Sequence, residues 1–591
     1  MKLISRSPAG LVAALAAVSL GACSSSSDDP NQPAEPTVQL EFTPASVTFG
    51  EDRSRAVELA NTGDEAAGPV ELVALAVTDA GGNEVPGASL SVSPSEVATL
   101  NAGVSRALTL TLDVPGSVGS GDYDVDLEAR VGGEAAASLG TSFSVVQDPG
   151  PVIETLEITG GAPQARQGEV LSFAVSATDD QGQPVNDPMV TWRAEPAFAG
   201  LTTAGGEYVA YSVGTARIIA EAGGAADTVE VDVTSRDAPS GSFQVAWHEP
   251  VELRYTSDHW EHGDVAYTGT WGCRAVPGGQ CGNTLYVWDI TVRTAPVLTD
   301  SIQVDARVVN DVKVRADGTL AIITHESSND GLNGITLLDL TDPLQPTVIT
   351  RFAAPDLSPG VHNVWIEGDY AYLVVDGAVP SSGLRVLDIS DPANPLIVAS
   401  FYGGGSFLHD VYVRDGLAFL SHWTTGLIIL DVGNGVAGGS PTSPVEVSRI
   451  AVPGYDVHNA WYWPEAGYVF LGDEIAVPGR VLVIDVNDLS APTQAASFTL
   501  AGAAPHNFWV DEDAGIAYFS WYENGIHAVD VSGRLLGELD KQARQVASIQ
   551  YDVGGACIAP SGTCSWAPQL HDGLIYVSDL NSGLWVLQPT F

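Results

Sequence analysis

Four histidines of this chain recur in one local context. Val361-His362-Asn363-Val364-Trp365, Leu408-His409-Asp410-Val411-Tyr412, Val457-His458-Asn459-Ala460-Trp461 and Pro505-His506-Asn507-Phe508-Trp509 are the same pattern written four times. The intervals are 409 − 362 = 47, 458 − 409 = 49 and 506 − 458 = 48 residues. Neutral imidazoles that converge beside carboxylates form a donor set for a divalent transition metal such as zinc, copper or iron. His362, His409, His458 and His506 are therefore candidate ligands. A second polar set stands where the next strand of each repeat ends: His325, Glu326, Asp376, His422, Asp473, Glu474, Glu523 and Asp579. Its carboxylates can orient the rings or serve as ligands themselves. An oxygen-rich subset, Asp311, Asp410 and Asp473, suits calcium instead.

A structural role competes with this chemistry. An imidazole and an amide at the start of every repeat can bond the backbone of the next repeat and hold the two in register. Strict two-residue alternation would put His362 on the face of Val364 and Ile366, between repeats. The same alternation puts Trp365, Tyr412, Trp461 and Trp509 on the opposite face, where core packing is the expected role. Trp271, Trp423, Trp463, Trp521 and Tyr522 lie in or near loops and can stack on sugars or peptide rings. His571 falls in a turn and is expected outside the histidine set. The chain has no G-x-S-x-G elbow, P-loop or H-E-x-x-H motif.

The elements that position these residues repeat with the same period. One complete unit runs His409 to Val413, turns at Arg414-Asp415-Gly416, continues through Leu417 to Leu420 and Gly426 to Val432, and ends at Val445 to Ile450. Four short strands per unit, at a period of roughly 40–50 residues, predict a β-propeller. Six third strands end in aspartate: Asp289, Asp339, Asp388, Asp431, Asp485 and Asp530. Each is expected to accept hydrogen bonds from the following turn. A seventh third strand, Gly583 to Leu587, has no outer strand after it, and an unassigned strand, Phe243 to Trp247, precedes the first unit. Pairing the two closes a seven-unit ring and removes an exposed edge. The start of the first strand then carries, unit by unit, Ser257, Asn310, His362, His409, His458, His506 and Trp566, followed by Asp258, Asp311, Asn363, Asp410, Asn459, Asn507 and Ala567.

Val481-Leu482-Val483-Ile484-Asp485-Val486 and Leu384 to Ile389 resemble the LVIVD-repeat propeller family. The resemblance covers residues 243–591 and implies the propeller fold, but no particular activity. Upstream, 38–147 shows short alternating strands such as Ala107 to Leu112, broken at Asn61-Thr62-Gly63 and Gly81-Gly82-Asn83, which predicts an Ig-like β-sandwich. Residues 151–236 are similar to a bacterial Ig-like domain of the group 2 type. The matching residues are Gly168-Glu169-Val170, Ser172 to Ala177, Val190-Thr191-Trp192 and Val213-Gly214-Thr215-Ala216. That resemblance implies a spacer or adhesive module in which Trp192 packs in the core. The fold class expected is all-β: two Ig-like sandwiches followed by a seven-bladed propeller.

The chain opens with Lys2 and Arg6, an apolar run from Leu11 to Leu20, and Leu20-Gly21-Ala22-Cys23. Residues 1–23 resemble a bacterial lipoprotein signal, with Cys23 the lipidated residue. Residues 24–37 read as a flexible linker. Ser24 after the cysteine, by resemblance to other lipoproteins, favours the outer membrane, at the cell surface or its periplasmic side. The four remaining cysteines suit an oxidising compartment. Cys273 with Cys281 and Cys557 with Cys564 is the simplest pairing, and spacing leaves the other two connectivities open. A formal charge of −49 with three lysines (Lys2, Lys313, Lys541) repels phosphate backbones and excludes nucleic acid as a natural partner. The function expected is a membrane-anchored binding or scaffold module whose His/Asp/Asn-lined channel mouth meets a protein or carbohydrate ligand. Two alternatives stand beside it: a metal-dependent oxidase or hydrolase at that mouth, and a purely structural adhesive protein.

Overall fold

The structure, a computed structural model, describes residues 2–4, 37–49, 53–115, 118–146, 152–237, 239–377, 382–475, 477–551, 557–558 and 562–591. Cys23 and its flanking linker, and with them the expected lipid attachment, lie outside the described residues. The described chain is all-β, with three short 3-10 turns and no α-helix among these residues. It divides into two compact units, 1–152 and 153–591.

In the first unit, one sheet contains Leu40–Thr43, Ser54–Asn61, Ser105–Asp113 and Ser89–Ser93. The other is built on Gly121–Val131 paired with Glu134–Val146, flanked by Val70–Ala74 and Ser46–Phe49, with Lys2–Ile4 along its edge. Alternation explains the packing. Leu108, Leu110 and Leu112 point into one apolar cluster with Leu127, Leu139 and Phe143, while the residues between them face out. The two sheets thus share a single core.

Residues 153–234 of the second unit repeat this two-sheet arrangement. Ile153–Gly160, Val170–Asp179, Glu207–Ala210 and Gly200–Thr202 form one sheet; Gln164–Arg166, Ala225–Thr234, Gly214–Ala222 and Thr191–Glu195 form the other. Trp192 is half-buried, with its ring centroid 6.3 Å from that of Phe173 against the shared core.

From Phe243 to Phe591 the chain makes seven antiparallel sheets in sequence, each of four strands, one with a short fifth strand added. Their first strands are Tyr255–His262, Val312–Val314, Val361–Glu367, Asp410–Arg414, Val457–Trp463, Phe508–Asp511 and Ser565–His571. Each first strand touches the next, and the last touches the first, so the seven enclose one axis. Phe243–Glu249 completes the last sheet by pairing with Gly583–Pro589. The middle strands are buried on both faces, which is why they read as near-continuous apolar runs. Ala418 and Leu420 pack with Tyr372 and Val374 of the sheet before, and Leu417 and Phe419 with Val469 and Leu471 of the sheet after. A comparable cluster fills every junction, including that between the seventh and first sheets, where Tyr576 and Val586 meet Ala266 and Trp288.

The six terminal aspartates of the third strands accept backbone N–H groups two residues on, from Thr291, Thr341, Ser390, Gly433, Asn487 and Ser532, at 2.7–2.9 Å. Disulfides join Cys273 to Cys281 and Cys557 to Cys564, which settles the connectivity. The sandwich of 153–234 is bolted to the sixth sheet. Arg236 donates two hydrogen bonds to Asp530, at 2.9 and 2.6 Å, and Arg544 donates to the Gly168 carbonyl at 3.1 Å.

Candidate functional site

The repeated histidines meet at the axis. His362 and His409 have ring centroids 4.5 Å apart, His409 and His458 4.6 Å, and His458 and His506 4.2 Å. Trp566 continues the row 4.0 Å from His506. Strict alternation does not survive at this level. The first strands carry register shifts between Thr256 and His259, Val361 and Asn363, Val457 and Ala460, and Ser565 and Ala567. A bulge aims two successive residues at one side. His362 therefore joins the axial set, whereas Val364 and Ile366 pack between sheets without it. The correction has a local cause: one unpaired residue resets the strand's phase.

Glu474, one residue past Tyr468–Asp473, organises the cluster. Its Oε2 lies 3.2 Å from Nε2 of His409 and 3.9 Å from Nε2 of His458. Its Oε1 accepts the Tyr522 hydroxyl at 2.7 Å. A tetrahedral ion with bonds of about 2.0–2.1 Å has ligand atoms roughly 3.3–3.5 Å apart, a spacing these two distances bracket. His409, His458 and Glu474 offer three donor atoms within 4.8 Å of one another, and His362, Asp376 and His409 do the same. His362 Nδ1 sits 2.7 Å from Glu326.

The protonation state of His458 suits metal binding, and that of His362 opposes it. Burial, reinforced by the neighbouring imidazoles, pushes His458 well below the usual histidine range. Burial likewise lowers His506 to about 4. Its Nδ1–H donates to the Trp566 carbonyl at 2.8 Å, which leaves Nε2 as the lone-pair nitrogen. Burial works against the Glu474 charge, yet its hydrogen bond with His409 helps to hold the carboxyl well below the ordinary range. Burial opposes a charge on His362 as well, but Glu326 outweighs it and raises that imidazole to about 9.

Other expected site residues are placed elsewhere. His422 is buried in the fourth sheet, where its carbonyl accepts the Ser406 hydroxyl at 2.8 Å, and belongs to neither donor group. Asp473 takes the Asp456 N–H at 3.2 Å and faces Arg480 at 3.5 Å. Asp311 and Asp410 lie in the next layer along the axis, so the calcium set of Asp311, Asp410 and Asp473 is not brought together. Lys313 holds this layer instead, bonded to Asp311 and 3.3 Å from Asp258. Asp311 Oδ2 also accepts the Val364 N–H of the next sheet at 2.9 Å. Burial first, with Asp311 and Asp258 adding to it, raises Asp410 to about 7. His571, half-buried, bonds the Gly263 carbonyl at 2.7 Å, away from the histidine row.

Two further residues shape the site. Lys313 replaces an aromatic at the third position after the repeat start, and that break in the pattern is its signal in the sequence. In the sequence Tyr522 is only a loop aromatic, and its reach to Glu474 depends on how adjacent sheets meet. The strand aromatics do more than the expected core packing. Tyr412 belongs to the apolar cluster between the fourth and fifth sheets, and Trp260, Trp365 and Trp461 pack against such clusters; together with Trp509 they also contact one another around the axis, with centroids 4.5–6.2 Å apart.

The family described as the LVIVD repeat matches the chain at residues 360–402 and 408–452, repeats consistent with a β-propeller. No curated protein matches it.

Proposed function

We propose that this protein is a bacterial outer-membrane lipoprotein in which two Ig-like sandwiches carry a seven-bladed β-propeller. The propeller acts as a binding module whose channel mouth holds a divalent transition-metal ion. Two LVIVD repeats and seven sheets whose first strands touch in a closed cycle support the propeller reading. Two-sheet cores support the sandwiches, and the Leu20 to Cys23 sequence supports the lipid anchor. The charge of −49 disfavours nucleic acid and leaves protein or carbohydrate as the ligand classes.

One observation carries the metal reading: His409, His458 and Glu474 converge, with His458 held neutral and Glu474 ionised. Three protein donors leave a coordination position for an incoming ligand. Metal analysis of tag-free protein, after zinc loading and desalting, tests this. About one ion per chain is expected, lost in a His409→Ala, His458→Ala double variant whose circular dichroism is unchanged. A wild-type chain that retains no ion overturns the reading. A double variant that unfolds assigns these histidines to holding the sheets in register.

A further inference from the structure

We propose that a single buried proton locks the junction at which the ring of sheets closes, so that this junction loosens as pH rises. The seventh sheet holds both ends of the propeller, Phe243–Glu249 and Gly583–Pro589. It meets the first sheet through Ser565–His571 and Tyr255–His262, and His259 and Gln569 bridge these two strands. His259 Nε2 lies 2.8 Å from the Ala567 carbonyl oxygen, and its Nδ1 lies 2.8 Å from Glu261 Oε1. Gln569 Oε1 accepts the Glu261 N–H at 3.1 Å, and its Nε2 donates to the Glu261 carbonyl at 2.9 Å. His259, Glu261 and Gln569 are 2, 3 and 5 % exposed.

A count of hydrogens carries the inference. A carbonyl oxygen only accepts, so His259 Nε2 bears a hydrogen. A neutral ring then has a lone pair at Nδ1, and an ionised carboxylate opposite it has no hydrogen to give. Two such acceptors repel at 2.8 Å, so one further proton lies between them. Whether it sits on the ring or on the carboxyl, His259 and Glu261 together hold one proton more than a neutral imidazole and a carboxylate. Without it the ring meets only one of its two acceptors, and the other faces a lone pair in a buried junction. Glu261 Oε2 is itself buried with no hydrogen bond. The ionisable groups around the ring are Asp258 and Glu261 on its own strand, Lys313 bonded to Asp258 from the second sheet, and Tyr576 of the seventh, whose hydroxyl donates to the Arg293 carbonyl. Burial opposes a charge on His259, but Glu261 and Asp258 outweigh it and raise the imidazole above its usual value of 6.5. The stabilising contribution is therefore complete below the unfolded value, near pH 6.5, and is lost as pH rises through the folded one. The Trp566 carbonyl on the same strand of the seventh sheet accepts His506 Nδ1–H, so the closure and one end of the histidine row share a support.

Urea unfolding followed by tryptophan fluorescence, repeated at intervals from about pH 6 to 9, tests this. The unfolding constant of the wild type should rise above pH 6.5 by up to about tenfold per pH unit until the folded chain releases the proton. Glu261→Gln keeps both hydrogen bonds with a neutral ring, because its amide N–H can donate to Nδ1, and should flatten that rise. His362, raised in the same window by Glu326, contributes equally to both proteins, so the difference between them isolates the His259 junction. If Glu261→Gln folds poorly, His259→Gln, which has no ring to titrate, should show the same flattening. A folded variant whose curve runs parallel to that of the wild type overturns the proposal.

Discussion

The Tyr522 hydroxyl donates to Glu474 across the junction of the fifth and sixth sheets, at 2.7 Å. It fixes one carboxylate oxygen and leaves the other facing His409 and His458. Such outer partners commonly contribute 10–100-fold to metal affinity. Tyr522→Phe should therefore weaken zinc binding by roughly tenfold while metal stoichiometry is retained, as read by competition with a chromophoric chelator. Unchanged affinity would remove Tyr522 from the site.

Phe419 has no exposed surface and fills the junction between the fourth and fifth sheets. Phe419→Ala should cost about 3–5 kcal/mol. All 13 tryptophans lie from Trp192 onward, so fluorescence in a urea titration reports the 153–591 unit alone. A loss below about 1 kcal/mol would mean that this junction repacks.

Burial lowers His527 from 6.5 to about 4. Its stabilising contribution is complete above the unfolded value, near pH 6.5. It is lost as pH falls toward 4, because only the unfolded chain takes up the proton in that window. The loss approaches about 3 kcal/mol at the acid end. His527→Phe should flatten the decline of stability between pH 6.5 and 4 relative to the wild type. Parallel curves for the two proteins would contradict the assignment.

Phe243–Glu249 covers the edge of Gly583–Pro589, and His248 stacks on Trp585 with centroids 3.7 Å apart. Deletion of residues 243–249 should expose that edge and cause association, since an unpaired strand edge is a template for pairing. Size-exclusion chromatography reads the outcome. A monomer of wild-type stability would show that closure adds little.

What could be read directly from the residues is what repetition encodes. The histidine positions, the four-strand units, the turn aspartates and the partner for Gly583–Pro589 all follow from a period written along the chain. Each depends on local pairing or on equivalence between repeats. The choice between neighbouring acids does not. Asp473 and Glu474 are adjacent, yet only Glu474 reaches the imidazoles, because a strand ends between them and the chain turns. The bulge that swings His362 to the axis, the ammonium of Lys313 between Asp258 and Asp311 and the closed aromatic collar are likewise invisible to periodicity. They depend on where seven sheets place their edges relative to one another, and side-chain packing across those junctions sets that placement.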